Sequence, residues 1–493
     1  MIRLRRYVGQ LFPVRPAERR LTAFLYALLM LMVLSDWVGK VTADSLFVKR
    51  LGVGWLPLMF VLTPIAMLVT SAILFAVIDR VRRRALLIGY VIVVMLLAVV
   101  IQLALPLGGP VLAASYIFGH GVKETIYLVF WVYAGNLYSA EQSKRLFPIY
   151  AGAVLVGKII GAPVATLLTG LVHAEYMIGA SAAGFAVVLV MLVAYRQLPE
   201  GKGRHVEQKE RGGGIRSSLR DSVDGYRAVA SDGLLRSLGV NVFFWYMLMQ
   251  VGSYLYYVGL DASTQLRTAQ QSEDSFVQIY SSVYASASIV ALGVQIFFTP
   301  VLLRLFGVAW SLFVFPVWYV MTYGIAGIQF NLVTSVAIQL GERIWIPAIH
   351  RPMTELVYGQ VSSRIRPRAR AFLSGGVNAL GNVAAAGTIL GANALRLSAE
   401  VLPLATALSL VFVANTWLLR RDLGDRIGAN LAASDAELRQ NAVQMLETEG
   451  RTVPTDTLRR VMSAPAADVE HGVRLALTRR GALAVAADAA TTE

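Results

Sequence analysis

FGHGVKETIYLVFWVYAGN, Phe118 to Asn136, is the stretch that decides how this chain is read. It sets His120, Lys123 and Glu124 among Phe, Val, Leu, Ile, Tyr and Trp. Outward from it the apolar run covers 111–137, longer than the roughly 20 residues a helix needs to cross a bilayer. Eleven comparable runs lie at 21–48, 56–79, 85–105, 146–172, 174–195, 234–260, 276–303, 307–328, 330–358, 371–397 and 400–419. The 493 residues are 56% hydrophobic and only 15% charged, with a mean hydropathy of +0.60. A soluble chain of this length carries more charge and shorter apolar runs. The expectation is therefore an all-α membrane protein of twelve spanning helices. The first run is too long for the core of a signal peptide and has no small-residue cleavage site after it, so it reads as a spanning helix. Cysteine is absent, which excludes a disulfide framework.

The net charge of +15 reads as topology rather than as a nucleic-acid surface. Basic residues collect at alternate helix ends: Arg3, Arg5, Arg6, Arg19 and Arg20; Arg80 and Arg82 to Arg84; Lys144 and Arg145; the connection from Arg196 to Arg227; Arg304; Arg364, Arg366, Arg368 and Arg370; Arg420 and Arg421. The opposite side holds chiefly Lys49, Arg50, Arg267 and Arg396. By the positive-inside rule both termini face the cytoplasm, as an even helix count requires, and the host membrane is the inner (plasma) membrane.

Two halves emerge, joined by one polar link. Residues 196–233 contain PEGKGRHVEQKERGGG, a flexible stretch, then IRSSLRDSVDGYRAV, which predicts a short helix on the inner membrane surface. The expected units are 1–195, the linker 196–233, 234–419 and a cytoplasmic tail at 420–493. Six helices, a linker and six more form the layout of the major facilitator architecture, two pseudo-symmetric halves. A shift of 219 residues lays Lys123-Glu124 on Glu342-Arg343, Pro148 on Pro367 and Gly157 on Gly376.

Ionisable residues inside such helices need a reason. Asp36, Lys40 and Asp44 recur every fourth residue, on one face of helix 1. Lys123 and Glu124 fall near the middle of helix 4, Lys158 near the middle of helix 5, and Glu342 and Arg343 near the middle of helix 10. Each would cost roughly 2.5–3.5 kcal/mol facing lipid. They point inward, pair with one another, or line a watery path. Structural pairing is the plain reading for Lys158, inside the small-residue pattern GKIIG, whose Gly157 and Gly161 suit close helix packing. A solute path is favoured by the concentration of the others in helices 1, 4 and 10, which line the cavity in the facilitator layout. The four acids and four bases sum to zero.

Other motifs fail on context. GAVLVGKI, Gly152 to Ile159, imitates a phosphate loop, but Ile159 stands where Ser or Thr would hold magnesium, inside an apolar helix. The five histidines lack metal-ligand spacing, and neither a nucleophile elbow nor a catalytic carboxylate pair stands out, so no metal, cofactor or enzyme activity is expected. His120 and His350 are candidate proton-sensitive groups.

The run FWVYAGNLYSAEQSKRLFPIYAGA, Phe130 to Ala153, resembles the signature that follows helix 4 in plastid and bacterial ATP/ADP translocases. Phe130, Trp131, Ala134, Ser139, Glu141, Lys144, Arg145, Phe147, Pro148 and Tyr150 match it or replace like with like. RPMTELVYGQVSSRIRPRARAFLSGGVNALGN resembles a second family segment through Pro352, Glu355, Leu356, Tyr358, Arg366, Arg368, Arg370 and Ala371. Lys40, Asp44, Leu46 and Val48 add a fainter echo in helix 1. The resemblance implies a distant member of that family, exchanging a nucleotide. Ala43, Thr354 and Asn382, however, stand where the family has lysines, which are natural phosphate partners.

The tail changes character. SDAELRQNAVQML opens with a capping box, Ser434 with Glu437, and TDTLRRVMSA and DVEHGVRLALTRRG predict further short helices. They resemble fragments of HEAT-type repeats. So few repeats cannot bury a core alone, so the tail docks on the cytoplasmic loops or on a protein partner. The expected function is secondary transport of a nucleotide or other anionic solute through the bilayer. Lys40, Lys123 and Arg343 would hold the anion, with Glu124 and Glu342 as partners or proton carriers; Asp36, Asp44, His120 and Lys158 complete the set. Lys144, Arg145, Glu355, Arg366, Arg368 and Arg370 would form a cytoplasmic gate, against the plain reading of positive-inside anchoring. The alternatives are a proton-coupled exporter of a non-nucleotide solute, and a non-transporting scaffold or sensor acting through its tail.

Overall fold

The computed structural model describes residues 14–78, 81–122, 125–138, 140–195, 224–265, 268–394 and 401–449, with isolated positions between 453 and 478. Among these residues all regular structure is helical. Apolar runs of this length leave little choice, because within lipid each backbone N–H and C=O must be satisfied inside its own segment.

The helices are α1 (Arg19–Leu51), α2 (Leu56–Ile78), α3 (Arg83–Ala104), α4 (in two pieces, Gly109–Ile117 and Thr125–Leu137), α5 (Ala140–Leu171) and α6 (Met177–Ala194). After the linker come α7 (Gly233–Thr264), α8 (Ala269–Gly293 and Thr299–Ser311), α9 (Val314–Ile328), α10 (Leu332–Leu340 and Arg351–Tyr358), α11 (Arg366–Phe372 and Asn378–Ala394) and α12 (Val401–Leu431). The tail contributes α13 (Ala436–Glu449). Twelve expected spans thus find twelve helical segments. Nine helices among the described residues are long and apolar enough to cross a membrane by composition and length. The expected spans at 111–137 and 371–397 are instead interrupted, and the one at 307–328 is shortened to α9. The chain is an all-α, multi-pass membrane protein.

The interruptions are π-helical turns: Phe118–Val122 in α4, Val294–Phe298 in α8, Gly341–His350 in α10 and Leu373–Val377 in α11. Gly307, at φ 78°, adds a kink near the end of α8. Leu68, Ile73, Leu103, Phe297 and Val333 are among many large apolar side chains left exposed, as a lipid-facing surface requires.

Two compact units divide the chain. The first takes residues 1–217 with 257–289, the second 218–256 with 290–493, so part of α7 and α8 groups with the first six helices. In the first unit α1 packs on α4, α5 and α6, and every residue from Val41 to Val48 is buried. Close approach to α5 relies on the GKIIG glycines. A Cβ on Gly157 would lie 2.7 Å from the Met30 carbonyl oxygen, and one on Gly161 would lie 3.2 Å from Trp37. In the second unit α9 packs on α12 and α10.

The last helices of the second unit depart from expectation. α12 runs on to Leu431, well beyond the expected limit at 419. α13 then folds back, packing on α12 and on the last part of α8. It begins at Ala436, so Asp435 rather than Ser434 caps it: Asp435 Oδ1 accepts the Glu437 N–H at 2.9 Å. The linker helix is described over 224–231 and packs Tyr226 on Phe372 of α11.

Candidate functional site

Within the first unit α1 buries Asp36 and Asp44, with Lys40 half-buried between them. Asp36, 3% exposed, accepts a hydrogen bond from Tyr127 Oη of α4 at 2.8 Å. Asp44 is fully buried and bonded on both oxygens: Oδ1 lies 2.5 Å from His120 Nε2, and Oδ2 accepts from Tyr257 Oη at 2.8 Å. Burial of a carboxylate is tolerable only with such partners. His120 sits in the π turn of α4 and stacks on Tyr116 at 4.3 Å. The turn also brings Gly119 against α1, where an added Cβ would be 3.7 Å from the Lys40 Cα. Lys40 and Lys158 are half-buried. Lys123 and Glu124 lie outside the described residues.

One turn beyond Asp44, α1 ends in a charged cluster. Lys49 Nζ lies 2.5 Å from Asp261 Oδ1; Arg50 reaches Glu273 at 2.7 and 3.0 Å and Glu175 at 2.8 Å. Ser45 Oγ donates to the Glu273 carbonyl at 2.9 Å. Lys49, Arg50, Glu175, Asp261 and Glu273, with His173, Gln265, Gln270 and Ser272, line a cavity of about 810 Å³. A cluster of rings lies beside them, with Tyr257, Phe276 and Tyr280 within 6.2 Å of one another and Trp37 against Tyr284 at 3.8 Å. Sequence reading assigned none of Tyr127, Tyr257, Asp261 and Glu273 to the site; the only signal was the two carboxylates just outside the runs 234–260 and 276–303.

In the second unit Glu342 and Arg343 form an ion pair at 3.1 Å within the π turn of α10. The other Glu342 oxygen accepts from Ser253 Oγ at 3.1 Å and Gln339 Nε2 at 3.0 Å. Gly341 is required here, since a Cβ would stand 2.7 Å from Trp318 Cδ1. Trp318 and Trp345 meet at 5.5 Å in the same region. His350 is buried among Trp245, Phe315 and Phe412, and neither ring nitrogen has a hydrogen-bond partner among the described residues.

The expected gate residues are engaged locally. Arg145 pairs with Glu18 at 3.1 Å in the first unit, while the Lys144 side chain lies outside the described residues. In the second unit Arg370 pairs with Glu355 and lies over the Tyr358 ring at 5.1 Å. Arg366 donates to the Val361 carbonyl at 2.8 Å and pairs with Glu437 of the tail at 3.1 Å. Arg368 contributes backbone: its carbonyl oxygen would be 2.8 Å from a Cβ on Gly225. Among the described residues no cluster of three or more His, Cys, Asp or Glu is placed to hold a metal.

No family model matches the chain, and no curated protein matches it in sequence. Solved structures do share its fold. The nucleoside transporter NupG superposes with a TM-score of 0.61 at 14% identity, covering 81% of this chain and 98% of that one. The human organic anion transporter MFSD10 gives 0.53 at 15%, covering 82% and 100%, and a D-xylose–proton symporter gives 0.53 at 12%, covering 80% and 96%. The fold is that of the major facilitator-like transporters.

Proposed function

We propose that the chain is a secondary transporter that moves a small anionic solute by alternating access of its two halves. The observation that supports it most is the pair of π turns in α4 and α10. These are the helices the internal repeat lays on each other, and each turn carries ionisable groups: His120 just before Lys123 and Glu124, and Glu342 with Arg343. A π turn inside an α-helix is frequent at functional sites. The turns in α8 and α11 carry no ionisable residue, so it is the coincidence of turn and charge that sets α4 and α10 apart.

In this reading Lys40, Lys123 and Arg343 hold the anion, and Glu124 and Glu342 balance them when it is absent. Lys144, Arg145, Glu355, Arg366, Arg368 and Arg370 form the rim on the cytoplasmic side of the inner membrane, with both termini there. The pairs Arg145–Glu18 and Arg370–Glu355 favour a rim that closes by exchanging ionic partners. A nucleotide is the finer reading; the family resemblance supports it, while the balanced charge and the three missing lysines favour a solute with fewer charges.

The test is flux of labelled ADP, adenosine, phosphate and succinate into proteoliposomes of the full chain, beside Arg343→Gln. Saturable flux of an anion, lost in the variant while its thermal unfolding is unchanged, is the expected result. Flux of succinate or phosphate without ADP discards the nucleotide, and no flux of any probe overturns transport.

A further inference from the structure

In the second unit, where α9 begins and the apolar part of α12 ends, an arginine lies against two indoles. The Arg420 guanidinium carbon stands 4.3 Å from the Trp310 ring centroid and 4.9 Å from that of Trp417. The indoles meet edge to face at 6.1 Å, and Phe313 joins them at 5.4 Å from Trp310 and 6.4 Å from Trp417. Trp310 and Trp417 are both exposed. Stacking on aromatic rings positions a guanidinium without neutralising it. Arg420 makes no ion pair or hydrogen bond among the described residues.

Charge is unbalanced around it. Arg304, just before the Gly307 kink, is exposed and likewise has no ion pair among the described residues. The acids at this end are used elsewhere: Asp422 accepts from Ser237 Oγ, and Asp232 pairs with Arg426. Asp425, one turn past Arg421, offsets that residue, which leaves Arg304 and Arg420 as the surplus.

Away from the arginine the surface is apolar. α9 and α12 run antiparallel side by side, with Trp310 on Trp417 at one end and Gly327 near Leu402 at the other. Val317, Met321 and Ile325 continue the line of Trp310 along α9, and Leu404, Val411 and Leu418 recur every seventh residue along α12, all of them exposed. Indoles favour the boundary between hydrocarbon and headgroups. An apolar bed, an aromatic collar and an unneutralised cation thus follow one another along the helices, in the order of a phospholipid's chains, ester region and phosphate.

We infer that Trp310, Trp417 and Arg420 form a binding site for one anionic phospholipid. The rings cover the faces of the guanidinium and leave its N–H edge to the lipid phosphate, a planar donor set that suits phosphate oxygens. In the orientation proposed above this end faces the cytoplasm, whose leaflet is the anionic one. The ligand is distinct from the transported solute, and the inference stands whichever solute that is.

Native mass spectrometry of the full chain, titrated with phosphatidylglycerol or phosphatidylcholine of identical acyl chains, tests this. One basic contact at a membrane surface corresponds to roughly fivefold in affinity. Arg420→Gln should therefore weaken the first phosphatidylglycerol about fivefold and leave phosphatidylcholine unchanged, whereas Arg421→Gln should change neither. Trp310→Leu keeps the charge and removes one wall, and it should weaken phosphatidylglycerol as well. Location is read separately. The chain has no cysteine, so Leu418→Cys carries a single fluorophore beside Trp417. In vesicles brominated phosphatidylglycerol should quench it more than brominated phosphatidylcholine, and Arg420→Gln should abolish the preference. Equal affinity for the two lipids, equal losses in Arg420→Gln and Arg421→Gln, or quenching indifferent to headgroup would make the rings an ordinary interfacial belt and overturn the inference. Displacement of the lipid by inorganic phosphate would assign the arginine to a soluble anion and overturn it too. The quenching preference needs no change at Arg420, so a variant that fails to fold does not shield the proposal.

Discussion

The Arg50–Glu273 pair predicts unequal penalties for removing its two members. Glu273 has a side chain 7% exposed, Arg50 one 33% exposed. Arg50→Ala strands a buried carboxylate that had two guanidinium bonds, at 2.7 and 3.0 Å. Breaking a buried pair this way costs about 3–5 kcal/mol, and the partial exposure of Arg50 argues for about 3. Glu273→Gln keeps the shape and leaves Arg50 partly in water, still paired with Glu175 at 2.8 Å, for about 1 kcal/mol. The difference of about 2 kcal/mol corresponds to roughly 30-fold in an equilibrium constant. The assay exploits the absence of native cysteine. A single Ser272→Cys, buried in the cavity wall, is labelled by a water-soluble maleimide at a rate set by the open population. Arg50→Ala should label roughly 30-fold faster than Glu273→Gln, and the double variant should fall between them. Equal rates, or a faster Glu273→Gln, would refute the argument from burial.

Other outcomes follow from packing. Gly157→Leu should lower the thermal midpoint of the purified protein through an overpacking cost of about 1–3 kcal/mol, because even its Cβ would press on Met30 and Val33; Gly152→Ala, with nothing within 4 Å, should not. His350→Phe should keep stability within about 1 kcal/mol of wild type and leave the pH profile of flux unmoved, since its ring nitrogens bond to nothing described and its neighbours are aromatic.

The helices were legible because lipid imposes one length and one composition on a spanning segment; nine of those described obey both, while α4 and α11 are interrupted and α9 is short. The shared face of Asp36, Lys40 and Asp44 was legible from the fourfold spacing alone. What they bind was not. Tyr127 and Tyr257 are ordinary members of apolar runs, and only packing brings their hydroxyls to carboxylates. The π turns were hidden for a related reason: FGHGV and GERIWIPAIH keep a helical composition, and one additional residue per turn leaves no mark in periodicity over so few residues. Asp435 displaced Ser434 as cap because α12 persists through Leu431 and shortens the connection to α13. Arg366, Arg368 and Arg370 read as one basic stripe, yet one clamps the tail, one offers its carbonyl to the linker helix, and one pairs with Glu355.

The first compact unit is discontinuous along the chain, and synthesis is not. When a ribosome has finished residue 217, Asp44 still waits for Tyr257, Lys49 for Asp261, and Arg50 for Glu273. Six helices in the bilayer at that moment form an assembly with an open seam, where Lys49 lacks Asp261 and Arg50 keeps only Glu175. Its closure depends on the hairpin of α7 and α8, which arrives only after the polar linker has been translated. Growth from the N-terminus therefore cannot complete the first half before the second has begun. A gene cut anywhere in 196–217 would give a first fragment lacking 257–289 of its own unit, and a second that carries those residues together with all of the other unit.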